Sequence, residues 1–233
     1  MKNTSKKTAN KNFHCEFCEA DFVKETSLVK HLCERKRRYQ DKNLQGNRIG
    51  FQSYLQFYAK NISKKPKDYT DFIKSAYYIA FVKFGNYCVN ANVINISRYV
   101  DWLLSEKISI DSWTKDSNYT KFIIDYCKIE DPLDAIARSI ETTVDLATKD
   151  KIMTKDVFRY GNKNRICYEI TKGKISPWML YHSESGIKFV EQLDETQQKA
   201  IIQYIQPEQW AIKFTRCGNV VPEIKELLRV GGY

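Results

Sequence analysis

The stretch FHCEFCEADFVKETSLVKHLCERKRR, residues 13–38, decides how the amino-terminal part of the chain folds. Cys15-x-x-Cys18 is followed by twelve residues and then His31, with Phe13, Phe22 and Leu28 filling the intervals. Three apolar side chains cannot make a useful core for so short a segment. A tetrahedral metal must therefore do much of the folding, and two thiolates on a tight turn with an imidazole from a following helix point to zinc. The helix is expected to begin near Lys24.

These residues resemble the two-Cys/two-His zinc finger. In that family an aromatic residue stands two before the first Cys, another four after the second, and a Leu three before the first His. Phe13, Phe22 and Leu28 occupy those places. The resemblance implies a small ββα unit holding zinc, with Lys24, Thr26, Ser27 and Lys30 facing nucleic-acid bases and Arg35, Lys36, Arg37 and Arg38 gripping phosphate. It departs from the family at the fourth ligand, because Arg35, Lys36 and Arg37 stand where a His or Cys is wanted. The nearby sulfur is Cys33, which gives the ligand set Cys15, Cys18, His31 and Cys33. On a regular helix residues two apart point about 200° away from each other, so His31 and Cys33 can share a metal only if the helix ends or tightens between them. His14, a Cys from the body of the chain, water, and a Cys33 that is simply buried remain alternatives.

Working outward, the 233 residues carry 38 Lys and Arg against 28 Asp and Glu, a formal charge of +10. Residues 1–38 hold ten of those cations and five of the anions, which suits a polyanionic partner such as double-stranded DNA. Hydrophobic residues make up 42% of the chain and aromatics 13%, enough for a true core. Of seven Cys, three cluster in the finger while Cys88, Cys127, Cys167 and Cys217 are scattered singly, a usage that suits a reducing compartment rather than a disulfide framework. The polar start MKNTSKKTANKN, read as a disordered basic tail over 1–12, lacks the apolar run of a signal peptide, and no later segment is apolar enough to span a membrane. A cytoplasmic protein is expected.

The rest reads as a helical body over 41–233, with the finger at 13–40 and a further split offered near 150–175. Gly46 and Gly50 read as a turn, and the aromatics of 51–62 fall at helical intervals. Residues 68–88 form one helical pattern with Asp68 or Thr70 as cap and Gly85 near its stop. Residues 95–107 and 118–128 continue the rhythm. Asp131-Pro132 and Ser176-Pro177 open helices, Gly186 separates two, Asp194 with Gln197 forms a capping box, and segments from Pro207 and over 222–230 complete the chain. Over 159–173 the alternation of Ile166, Tyr168 and Ile170 predicts a short hairpin or edge strand. The fold class is thus mainly α.

Catalysis leaves no trace in the motifs. There is no Gly-rich phosphate loop, no His-Glu-x-x-His and no Gly-x-Ser-x-Gly. His182 is the one His outside the finger, and Glu130-Asp131 and Asp194-Glu195 read as helix-start charges. A nuclease-like site of scattered carboxylates is the enzyme class left open. Beyond the finger, KHLCERKRRY (30–39), AFVKFGNYC (80–88) and ISPWMLY (175–181) are similar to segments of uncharacterised proteins of large tailed bacteriophages. That resemblance implies action in infected bacterial cytoplasm or association with the virion. Two functions follow: a nucleic-acid-binding finger whose helical body recruits a protein partner in transcription, replication or packaging, or a zinc-stapled protein-interaction or assembly factor whose acidic Glu16, Glu19, Asp21 and Glu25 dilute the basic field.

Overall fold

The structure is a computed structural model and describes residues 13–61 and 67–233. The tail expected over 1–12 lies outside the described residues. Two compact units divide between Val89 and Asn90, and the segment 150–175 lies wholly inside the second.

The first unit opens with the antiparallel pair β1 (Phe13–His14) and β2 (Asp21–Phe22), Phe13 opposite Phe22. Helices α1 (Glu25–Lys30), α2 (Glu34–Gln40), α3 (Gln45–Asn61), α4 (Tyr69–Lys74) and α5 (Tyr78–Asn90) follow. The single helix expected over 68–88 is two. Asp68 caps α4 in a reciprocal box with Asp71, but Ser75 adopts an extended conformation and its hydroxyl accepts the N–H of Tyr77 at 3.1 Å. A side chain that satisfies the backbone locally competes with the helical ladder, and the chain turns there.

The glycines also act differently from their expected roles. Gly46 and Gly50 lie inside α3 rather than at a turn, and Gly85 lies inside α5 rather than at its end. A Cβ on Gly85 would stand 1.9 Å from the carbonyl oxygen of Gly46, and one on Gly50 would stand 2.7 Å from that of Phe81. The three glycines let two helix backbones touch. Around that crossing an aromatic core assembles, with Phe72 centred 4.8 Å from Tyr78 and 5.1 Å from Tyr54.

The second unit is built from α6 (Ile96–Ser105), α7 (Asp116–Ile129), α8 (Pro132–Asp150), α9 (Val157–Tyr160), α10 (Lys163–Thr171), α11 (Pro177–His182), α12 (Glu184–Glu191), α13 (Glu195–Ile205), α14 (Pro207–Arg216) and α15 (Val221–Gly231). Asp131 accepts the N–H groups of Leu133 and Asp134, Ser176 that of Trp178, and Asp194 with Gln197 forms the capping box the letters promise. Gly186 sits within α12, and the break before it falls at Ser183.

The hairpin or edge strand expected over 159–173 is corrected to helix. Asn162 caps α10 by accepting the N–H of Arg165, and Ile166, Cys167 and Ile170 are all buried on one face while Tyr168 faces solvent. Ile166 and Ile170, the ends of the apparent alternation, are spaced four apart, so the same letters serve a helix. Trp113, Trp178 and Trp210 are fully buried. The buried Glu130 and the half-buried Arg138 form a bidentate pair, one arm at 2.6 Å, and Arg138 also donates to the Gly173 carbonyl at 2.9 Å. Among the described residues no helix is long and apolar enough to cross a membrane.

Candidate metal centre

The site is made by two turns. After β1 the chain reverses over Cys15–Glu19, where the Glu19 N–H donates to the Cys15 carbonyl at 2.8 Å and the Cys15 N–H to the Ala20 carbonyl at 3.0 Å. This hairpin presents Cys15 and Cys18 together. The second turn follows α1, which stops at Lys30. His31 has φ −69°, ψ 121° and Cys33 φ −79°, ψ 163°, both extended, and Cys33 then caps α2. The helix ends where the His31/Cys33 pairing requires it to end.

Four donor atoms, from Cys15, Cys18, His31 and Cys33, lie within 4.8 Å of one another. Cys15 Sγ is 3.9 Å from Cys33 Sγ, and Cys18 Sγ is 3.2 Å from His31 Nε2. With zinc–sulfur bonds of about 2.3 Å and zinc–nitrogen bonds of about 2.0 Å, a tetrahedron has edges of roughly 3.5–3.8 Å. A disulfide would need sulfurs about 2.05 Å apart, and all these cysteines are free. The donor set and its spacing therefore fit a group that could hold a metal ion such as zinc. His14 is drawn instead into an exposed contact between its Nδ1 and the Asp21 carboxylate. Cys88, Cys127 and Cys167 are buried elsewhere, and burial pushes the thiols of the first two up to about 12.

Electrostatics within the cluster are divided. Burial opposes ionisation of Cys15, but the N–H groups of Cys18 and Phe17 and the neighbouring thiols outweigh it and lower its pKa. Cys18 is stabilised as thiolate by the Ala20 N–H, yet desolvation and the sulfurs of Cys15 and Cys33 prevail and raise its pKa. Closely spaced sulfurs cannot all ionise without a countercharge, which a divalent cation supplies. Around the donors, the Phe22 ring lies 4.7 Å from that of His31, and the Lys36 N–H donates to Cys33 Sγ at 3.4 Å. Such outer contacts orient ligands.

The eight residues expected to face nucleic acid divide into two groups. Lys24, Thr26, Ser27 and Lys30 are exposed along α1 and its start. Arg37 is exposed on α2, but its neighbours turn inward. Arg35 Nη1 donates to the Phe17 carbonyl at 3.2 Å and Lys36 Nζ to the His31 carbonyl at 3.2 Å. Arg38 donates to the Ile73 carbonyl at 2.8 Å, lies 4.4 Å over the Tyr78 ring and pairs with Glu34. Three of the four cations thus brace residues 13–33, the metal-site knuckle, and α2 within the first unit. Phe17, which the motif does not mark, packs on Tyr39 at 5.2 Å and completes the brace. Its one signal is an aromatic residue between two Cys.

Fold and donor set together define a helical protein with an amino-terminal Cys3His knuckle. No family model matches the chain, and no curated protein or solved structure matches it either.

Proposed function

We propose that the chain is a zinc-stapled nucleic-acid-binding accessory protein. Its first unit binds phosphates of double-stranded DNA through Lys24, Lys30 and Arg37, and its second unit docks on a protein partner in transcription, replication or packaging. One observation carries this reading. Residues 1–89 contain eighteen Lys and Arg against eight Asp and Glu, and residues 90–233 contain twenty against twenty. The whole formal charge of +10 falls on the unit that bears the metal site, and the other unit is neutral. A polyanion is the partner such asymmetry favours.

A single finger reads only about three base pairs, and α1 is six residues long. Binding is therefore expected to be phosphate-based and weakly dependent on sequence. Zinc would be structural, since four protein donors leave no open position for substrate.

A titration of the zinc-loaded full chain against random-sequence duplex at rising salt tests the proposal. Affinity should fall steeply with salt, and changing Lys24, Lys30 and Arg37 together to Glu should flatten the slope by about 0.9 for each phosphate that the variant no longer neutralises. Absence of binding at low salt overturns it. A second reading, a protein-docking knuckle, is favoured by Val23, Val29 and Leu32, which are 70%, 71% and 61% exposed on the same segment, and by the internal use of Arg35, Lys36 and Arg38.

A further inference from the structure

Helix α3 is the longest of the first unit, and its sequence QGNRIGFQSYLQFYAKN contains no Asp or Glu. From Lys42 to Lys67 the chain carries six Lys and Arg without one carboxylate. The knuckle, by contrast, sets Lys24 and Lys30 against Glu16, Glu19, Asp21 and Glu25. The positive field of the first unit is therefore least diluted along α3 and not over the metal site.

The helix has two faces. Gly46, Asn47, Gly50, Ser53 and Tyr54 are buried, the glycines admitting α5 and Asn47 donating to the Asp41 carbonyl at 3.0 Å. Gln45, Arg48, Gln52, Ala59 and Lys60 are exposed. At 3.6 residues per turn these five, with the half-buried Gln56 among them, fall within an arc of about 120°. Among the described residues the side chains of Gln45, Arg48 and Gln52 make no hydrogen bond or ion pair, so their donors are free for a partner. A face that is merely solvated mixes both signs, as the exposed Asp134, Glu141, Asp145 and Lys149 of α8 do. The α3 face offers amides, a guanidinium and an ammonium, and no anion.

Arginine and glutamine are the side chains that pair bidentately with guanine and adenine in the major groove. That groove is about 12 Å wide, and a helix with its side chains is about 10–12 Å across. From Gln45 to Gln56 the stripe runs about 16 Å along the axis, whereas the whole of α1 is six residues. The exposed Lys42 and Lys60 bracket it, as cations that meet the phosphates beside a groove should.

We propose that α3 enters the major groove of duplex DNA, with Arg48 donating to a guanine edge and Gln52 pairing with a nearby adenine. This role rests on the nucleic-acid binding proposed above, in which the knuckle grips phosphate with little regard to sequence; α3 adds a base preference. In the test, the zinc-loaded full chain selects from a random-sequence duplex library. It is then titrated against the enriched duplex, the same duplex with 7-deazaguanine, which lacks the N7 acceptor, and an RNA duplex of the same sequence. Binding should weaken about tenfold on 7-deazaguanine and further on RNA, whose major groove is deep and narrow. Arg48→Ala should lose both the enrichment and the response to 7-deazaguanine. Gln52→Ala removes no charge, so it should weaken binding to the enriched duplex about tenfold and leave the salt slope unchanged. Both variants should keep the parent's Tm, since neither side chain has a partner in the chain. If the duplex is bound but both variants bind as the parent does, or RNA binds equally well, α3 is not in the groove and the phosphate reading stands alone. If the parent binds no duplex at low salt, both readings fall.

Discussion

Among residues 13–33 only Cys15 is fully buried, whereas residues 90–233 enclose three tryptophans and a continuous set of Ile, Leu and Phe side chains. The knuckle has two-residue strands and a helix with no buried residue. Local propensity and contact area alone order such a segment poorly, and a metal held by its four donors would supply the bonds that do. The second unit excludes water from enough apolar surface to stand on its own packing. Neighbouring stretches of one chain are thus held by different physics, and each should fail under a different insult.

Metal removal separates them most sharply. Chelation, or Cys18→Ser, should abolish protection of amides in 13–33, because structural zinc contributes on the order of 10–16 kcal/mol in small finger peptides. Residues 90–233 should keep their protection in the same hydrogen-exchange experiment. A collapse of both would erase the distinction.

The second unit should break instead at its buried charge. Arg138→Met strands Glu130 away from water and should lower stability by about 3–5 kcal/mol in denaturant unfolding while leaving zinc affinity unchanged. A smaller effect, about 1–3 kcal/mol of destabilisation, is expected for Gly85→Ala, whose new methyl would meet the Gly46 carbonyl in the body of the first unit. If that variant also releases zinc, the knuckle depends on the helices of its own unit and is not held by its metal alone.

The mildest effect is that of pH on the second unit. Burial lowers the pKa of His182, and the nearby Lys225 acts in the same direction, against a hydrogen bond with the Trp178 carbonyl. His182 stacks on Trp178 and meets Phe214 edge-on at 4.4 Å, with no carboxylate among the described residues in ion-pair contact. Below about pH 6.5 the unfolded chain takes up the proton more readily than the folded one, so stability falls as pH drops through that value toward the folded pKa. His182→Phe should flatten this part of the profile of Tm between pH 7 and pH 5. An unchanged profile would mean that His182 does not set it.

What can be read in the letters is local. Cys15, Cys18 and His31 announce themselves by spacing, and Asp131-Pro132, Ser176-Pro177 and Asp194 with Gln197 mark helix starts because a cap and its target lie within three residues. What cannot be read depends on partners distant in sequence. Gly46, Gly50 and Gly85 look like punctuation until α3 and α5 are brought together. Arg35, Lys36 and Arg38 look like a phosphate grip because their acceptors, the carbonyls of Phe17, His31 and Ile73, carry no side-chain signature. Ile166, Tyr168 and Ile170 fit two periods over so short a run, and the cap at Asn162 with burial of Cys167 decides for helix. Cys33 is legible only as a condition, that the helix stop before it, and the extended backbone at His31 and Cys33 meets that condition.

The central claim is that one metal ion, held by four side chains, orders the amino-terminal knuckle. Its most direct measurement is the zinc content of the purified full chain beside that of Cys33→Ser. One zinc per parent chain and a clear loss of affinity in the variant are expected. A metal-free parent whose residues 13–33 are nevertheless protected from exchange would contradict the account.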